Sequence, residues 1–174
     1  METSLGTHLD RALAELQDLA NSGVEFRDTS SDELMAALHS IEHLSRIVEG
    51  LAIQAAREVD ERTTKRVPED LKDSFAHFYG FPNANTLLRQ VSGASGRTIS
   101  RRLRMGRLIC DQTSLIGESM PGKFQHVGQA FFNGTMHIDA ADTITTTLNR
   151  LPSHVDSELI DLAERTLTST ATGS

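Results

Sequence analysis

The chain holds one cysteine, Cys110, which rules out an internal disulfide and any zinc site built on cysteine pairs. Tryptophan is absent, tyrosine occurs once and phenylalanine seven times, so a core must be assembled mostly from Leu, Ile, Val and Ala, which suits helix packing. No apolar run approaches the ~20 residues that a membrane span needs. The first ten residues lack a basic stretch leading into an apolar one, so no secretory signal is expected and the expected location is the cytoplasm. Runs of alternating β-branched residues are missing as well, and no strand is expected.

Acidic residues are also missing from one place. The net charge is −7, yet Ser74 to Cys110 contains no Asp or Glu and six arginines: Arg89, Arg97, Arg101, Arg102, Arg104 and Arg107. That stretch carries +6, which leaves −13 for the remainder. A cationic island in an acidic chain says more about partners than the overall balance does.

What is present is helical spacing. Leu5, Leu9, Leu13, Leu16 and Leu19 step by four and three, predicting a first helix from about His8 to Asn21 that Gly23 stops. Ser30-Ser31-Asp32-Glu33 reads as a capping box for a long second helix, about Asp32 to Arg62. Leu34, Leu38, Ile41, Ser45, Val48, Ala52, Ala55 and Val59 mark one face of it. At 1.5 Å per residue it spans about 45 Å, so it is expected to be the spine that others pack on, or half of a dimer seam. Pro68 opens a third helix with Leu71, Phe75 and Phe78 inward, closed by Gly80. Five more follow: Asn83 to Val91, Gly96 to about Cys110, Lys123 to Asn133, Asp139 to Arg150, and Pro152 to about Leu167. Thr168 to Ser174 is small and polar and is expected to be disordered.

Asn83 to Cys110 has helix-turn-helix proportions. Leu88, Ala94, Ile99 and Leu103 fall where the two helices must touch, and Gly93 falls where the turn needs a positive φ. Arg89 stands where a small residue is usual. On a helical wheel, Ile99, Leu103, Gly106 and Cys110 form one stripe of the second of these helices, with Arg97, Arg101 and Arg104 almost opposite and Arg102 and Arg107 on the flanks. An outward cationic stripe of this kind suits a DNA groove, with arginines on guanine edges and phosphates. The competing reading is that these arginines pair with carboxylates of the acidic remainder.

Other patterns carry less. His39-Ser40-Ile41-Glu42-His43 matches H-x-x-E-H, with Glu118 a conceivable third ligand for zinc, but the mixed α/β context of that motif is missing and a helix surface explains it. His77, His126, His137 and His154 have no ligand spacing, and His137 with Asp139 fits a helix cap. Neither a Gly-rich phosphate loop nor a base–nucleophile pattern is found, so no enzyme, cofactor or metal is expected.

The order of these motifs resembles the actinobacterial family called domain of unknown function 222. The likeness rests on Ala56-Arg57, on Gly80 to Leu88 followed by Gly93-Ala94-Ser95 and the arginine-rich helix, on Met120-Pro121 with Gly134, Ile138 and Ala141, and on Leu151-Pro152. It covers roughly Leu34 to Leu167. In that family the helical region usually precedes an HNH nuclease domain, so the resemblance implies a DNA-linked role. The chain departs from the pattern in having no HNH motif, no cysteine pairs and Met120 in place of Leu, so no nuclease residue carries over; it looks like a shortened relative, a fragment or a stand-alone version of the helical region.

The expectation is therefore an all-α protein of about eight helices around the long second one. It forms one domain over 1–167, with an N-terminal pair at 8–66 and the helix-turn-helix-like and C-terminal helices at 67–167. The leading function is a non-enzymatic DNA-binding or DNA-targeting module using Arg97, Arg101 and Arg104, with Arg89, Arg102 and Arg107 on phosphates. The alternative is a helical interaction scaffold, including a homodimer through the long helix; no membrane partner is expected.

Overall fold

The computed structural model describes residues 4–23, 25–64, 74–114 and 118–173. Among them lie eight α-helices: α1 Leu5–Asn21, α2 Ser31–Thr64, α3 Phe75–Phe78, α4 Ala84–Ser92, α5 Gly96–Ile109, α6 Gln125–Phe132, α7 Ile138–Asn149 and α8 Ser157–Thr172. A short 3-10 turn, Phe26–Asp28, precedes α2. Among the described residues a minimal antiparallel ladder is also present, β1 Gln112–Thr113 with β2 Ser119–Met120, pairing Gln112 with Met120 and Thr113 with Ser119. The absence of strands expected from the sequence is corrected to that extent; two-residue strands are too short to show an alternating pattern.

The chain divides into two compact units, 1–41 and 42–174, and the division falls inside α2 rather than after it. In the first unit, Ser4 caps α1 by accepting from the amide of Thr7, and the capping box before α2 is formed. Ser30 Oγ accepts from the Glu33 amide at 3.3 Å while Glu33 Oε2 accepts from the Ser30 amide at 3.0 Å. These bonds hold the Glu33 carboxyl below its usual range. None of the residues of α1 is buried.

The second unit contains the core. Phe124, Val127 and Phe131 from α6 and its approach, Met105 and Ile109 from α5, and Ile138, Ala141, Ile144 and Leu148 from α7 pack with Ile53 of α2 and Met136. The buried side of α2 here is Gly50, Ile53, Ala56 and Asp60. The apolar residues Leu44, Val48 and Leu51, nearly opposite on the helix, are exposed. The face marked in the sequence by Ser45, Val48, Ala52, Ala55 and Val59 is therefore not the buried one, and on the buried side Gly50 and Ala56 admit close neighbours beside Ile53. A Cβ on Gly106 of α5 would lie 2.9 Å from Arg57 Cβ, and one on Gly50 would meet Phe132 at 3.5 Å.

Three helix ends differ from expectation. Phe78, expected inward, is 77% exposed, and α3 is a single turn; Pro68 and Leu71 lie outside the described residues. α7 begins at Ile138 rather than Asp139, capped by His137, whose Nδ1 accepts from the Asp139 amide. α8 starts later, at an Asp156 cap, and continues through the segment expected to be disordered as far as Thr172. In that last stretch Thr170 and Thr172 donate their hydroxyls to the carbonyls of Thr166 and Thr168, four residues back.

Candidate nucleic-acid interface

The helix-turn-helix is formed as its spacing predicts. Asn83 caps α4 by accepting from the Thr86 amide at 2.9 Å. Gly93 ends α4 with φ +66°, a left-handed conformation that a side chain would strain, and its N–H donates to the Arg89 carbonyl. Ser95 caps α5 by accepting from the Thr98 amide at 3.1 Å. Ile99 and Leu103 of α5 form a small cluster with Ala56 of α2, and Leu88 and Ala94 pack against it. Arg89 is accommodated because the small residue sits across from it: the Arg89 side chain lies 3.6 Å from where a Cβ on Gly96 would be.

The arginines, however, do not form an uncompensated ridge. Arg102 grips Glu49 of α2 through two bonds of 2.9 and 2.6 Å. Arg107 grips Asp60 of α2 through two bonds of 2.7 and 2.8 Å, and Asp60 is only 4% exposed. Arg101 donates to Asp139 of α7 at 2.7 Å, and Arg104 donates to both oxygens of Asp142. The bonds to Glu49 and Asp60 raise the proton affinities of Arg102 and Arg107 above the usual guanidinium range. Of the six arginines only Arg89 and Arg97 pair with no carboxylate among the described residues.

α5 is thus a central helix, with α2 along one flank and α7 along the other, and it buries Ile99, Leu103, Met105, Gly106 and Ile109. The wheel placed the apolar stripe correctly. It failed on the cations because a guanidinium reaches well past its own helix surface, and the carboxylates that meet these come from residues about 40 to 50 positions away. The signal that could have found the pairing was the charge balance itself: a basic helix in a chain carrying −13 elsewhere has partners at hand.

Among the described residues no three His, Cys, Asp or Glu side chains gather as a metal site. His43, half of the H-x-x-E-H pattern with His39 and Glu42, instead places Nδ1 3.3 Å from the Gly134 carbonyl oxygen, to which Arg46 Nε also donates at 2.6 Å. A cleft of about 510 Å³ is lined by Gln54, Gln125, Gln129, Phe132 and Cys110. Burial pushes the Cys110 thiol up to about 11, which makes it a poor nucleophile. The buried Glu164 of α8 has a structural partner: its Oε1 accepts from the Val127 amide at 3.0 Å, capping α6, whose own cap position is held by the apolar Phe124. Among the described residues no helix is long and apolar enough to cross a membrane. No protein-family model, no curated protein and no solved structure matches this chain.

Proposed function

We propose that the chain is a non-enzymatic helical interaction scaffold that associates through the apolar face of its first 41 residues. One observation carries this reading: α1 has five leucines at helical spacing, every one between 41% and 73% exposed, and buries nothing. A half-exposed leucine forgoes about 1 kcal/mol of available burial, and an isolated helix of this length is marginal in water. Leu5, Leu9, Ala12, Leu16 and Leu19 follow the four-three alternation of a coiled-coil seam, with Leu13 widening it. Asp10, Arg11 and Asp18 fall on the far side of the wheel, so the face is free of charge. The arginines of α5 then serve the fold, tying α2 and α7 to the central helix.

The test compares the chain with Leu9→Glu/Leu16→Glu in solution mass and in uptake of a hydrophobic dye. The reading requires the variant to lose association, dye uptake or both, with the second unit still folded. A variant indistinguishable from the parent in both would refute it.

A second reading is a DNA-binding or DNA-targeting module, favoured by the formed helix-turn-helix, by the guanidinium groups of Arg89 and Arg97, which pair with no carboxylate among the described residues, and by the resemblance to domain of unknown function 222. Two phosphate contacts give a logarithmic salt slope of about −2, far shallower than six would give. Arg89→Glu/Arg97→Glu should abolish any binding to duplex DNA if this reading holds.

A further inference from the structure

We infer that the occupant of the apolar face of residues 1–41 is a second copy of the same chain, joined so that two α1 helices and the first parts of two α2 helices enclose one interior. The inference rests on the scaffold reading above and names its partner.

The area fits. Besides the five leucines of α1, this unit exposes Leu34, Met35, Leu38 and Ile41 at the start of α2, each between 42% and 52%. Nine large apolar side chains about half exposed on these two helices together present on the order of 800 Å², about what one partner brings to a standard interface. Among the described residues α1 buries nothing, whereas two copies bring together the four amphipathic helices that a bundle needs.

The charge pattern selects a like partner over a basic one. Residues 4–41 are acidic, with seven Asp or Glu against Arg11 and Arg27. A basic amphipathic partner would need acidic residues along the rim of the face. In α1 only Glu15 is near the rim, lying 4.0 Å from Arg11, while Asp10 and Asp18 point away. At the start of α2, Glu33 is engaged with Ser30. The face is therefore neutral where contact is made and acidic behind, an arrangement that two identical units can share. Screening of the charges behind the face makes such a dimer tighter as salt rises.

Sedimentation equilibrium of the full chain tests this across protein and salt concentration, with Leu9→Glu/Leu16→Glu and Asp10→Lys/Asp18→Lys in parallel. The expected mass is twice the 19.1 kDa of one chain. The leucine variant is expected to weaken association about 100-fold or more, as loss of central anchors does, and the aspartate variant to keep it. A chain that stays single at every concentration yet takes up a hydrophobic dye through α1 overturns the second copy and leaves the scaffold reading standing. So does a single chain that binds a synthetic leucine-lysine amphipathic helix. A single chain that does neither sinks both, and a dimer indifferent to the leucine variant overturns the face assigned here.

Discussion

Arg102 on α5 and Glu49 on α2 face each other through two parallel hydrogen bonds, Nε to Oε1 at 2.9 Å and Nη2 to Oε2 at 2.6 Å, with both side chains about four-fifths buried. Truncating either partner leaves a part-buried charge without its counterion. Arg102→Ala should cost about 1–3 kcal/mol in urea unfolding, and a double-mutant cycle with Glu49→Ala should return a coupling energy well above that of an exposed pair. A residue that serves only to contact DNA would show neither effect.

Charge reversal at Arg101 and Arg104 would put glutamates beside Asp139 and Asp142. Arg101→Glu/Arg104→Glu should therefore lower the melting temperature, while Arg89→Glu/Arg97→Glu, which touches no ion pair among the described residues, should leave it nearly unchanged. Thermal unfolding by circular dichroism separates the two.

The crossing of α2 and α5 depends on Gly106. A Cβ there meets Arg57 Cβ at 2.9 Å and the Ile53 carbonyl oxygen at 3.4 Å, so the helices must move apart. Alanine has better helix propensity by up to ~1 kcal/mol, yet overpacking typically costs 1–3 kcal/mol, so Gly106→Ala should be destabilising on balance. Gly96→Ala, whose new Cβ would meet the Arg89 side chain at no less than 3.6 Å, should be close to neutral. Chemical denaturation of both variants checks the contrast.

Glu164 satisfies the Val127 amide from another helix, and it is 3% exposed. Glu164→Ala strands that buried N–H and should cost about 1–3 kcal/mol. Glu164→Gln keeps an acceptor and should lose less, which equilibrium unfolding would resolve.

Cys110 reports on unfolding. Its thiol is raised from 9.0 to about 11 chiefly by burial, with Arg57 pulling it down and Asp111 pushing it up. Because the unfolded thiol ionises first, its contribution to stability is present below about pH 9 and is lost as pH rises from there toward 11. In the folded chain it should resist a thiol-specific disulfide reagent at pH 8 and react at full rate in denaturant. Fast labelling of the native chain would contradict its burial.

Much of the fold could be read from local spacing. The capping box at Ser30 and Glu33, the left-handed Gly93, the caps at Asn83 and Ser95, and the contacts among Leu88, Ala94, Ile99 and Leu103 all depend on residues close in sequence. What local spacing could not supply was long-range pairing. The carboxylates that meet α5 come from α2 and α7, and on the buried side of α2 Ile53 is flanked by Gly50 and Asp60, which no hydropathy pattern marks as interior. The leucines of α1 were legible as a stripe, but their exposure was not, since periodicity fixes which residues share a face and says nothing about whether the face is covered.

Hydrogen exchange read along the whole chain, at low and high protein concentration and then with duplex DNA, bears most directly on the claim that α1 rather than α5 carries the working surface. The account predicts that amides of α1 and the start of α2 gain protection as protein concentration rises, while α4 and α5 are unmoved by DNA. Protection of α1 independent of concentration, together with DNA-induced protection at α4 and α5, would contradict it.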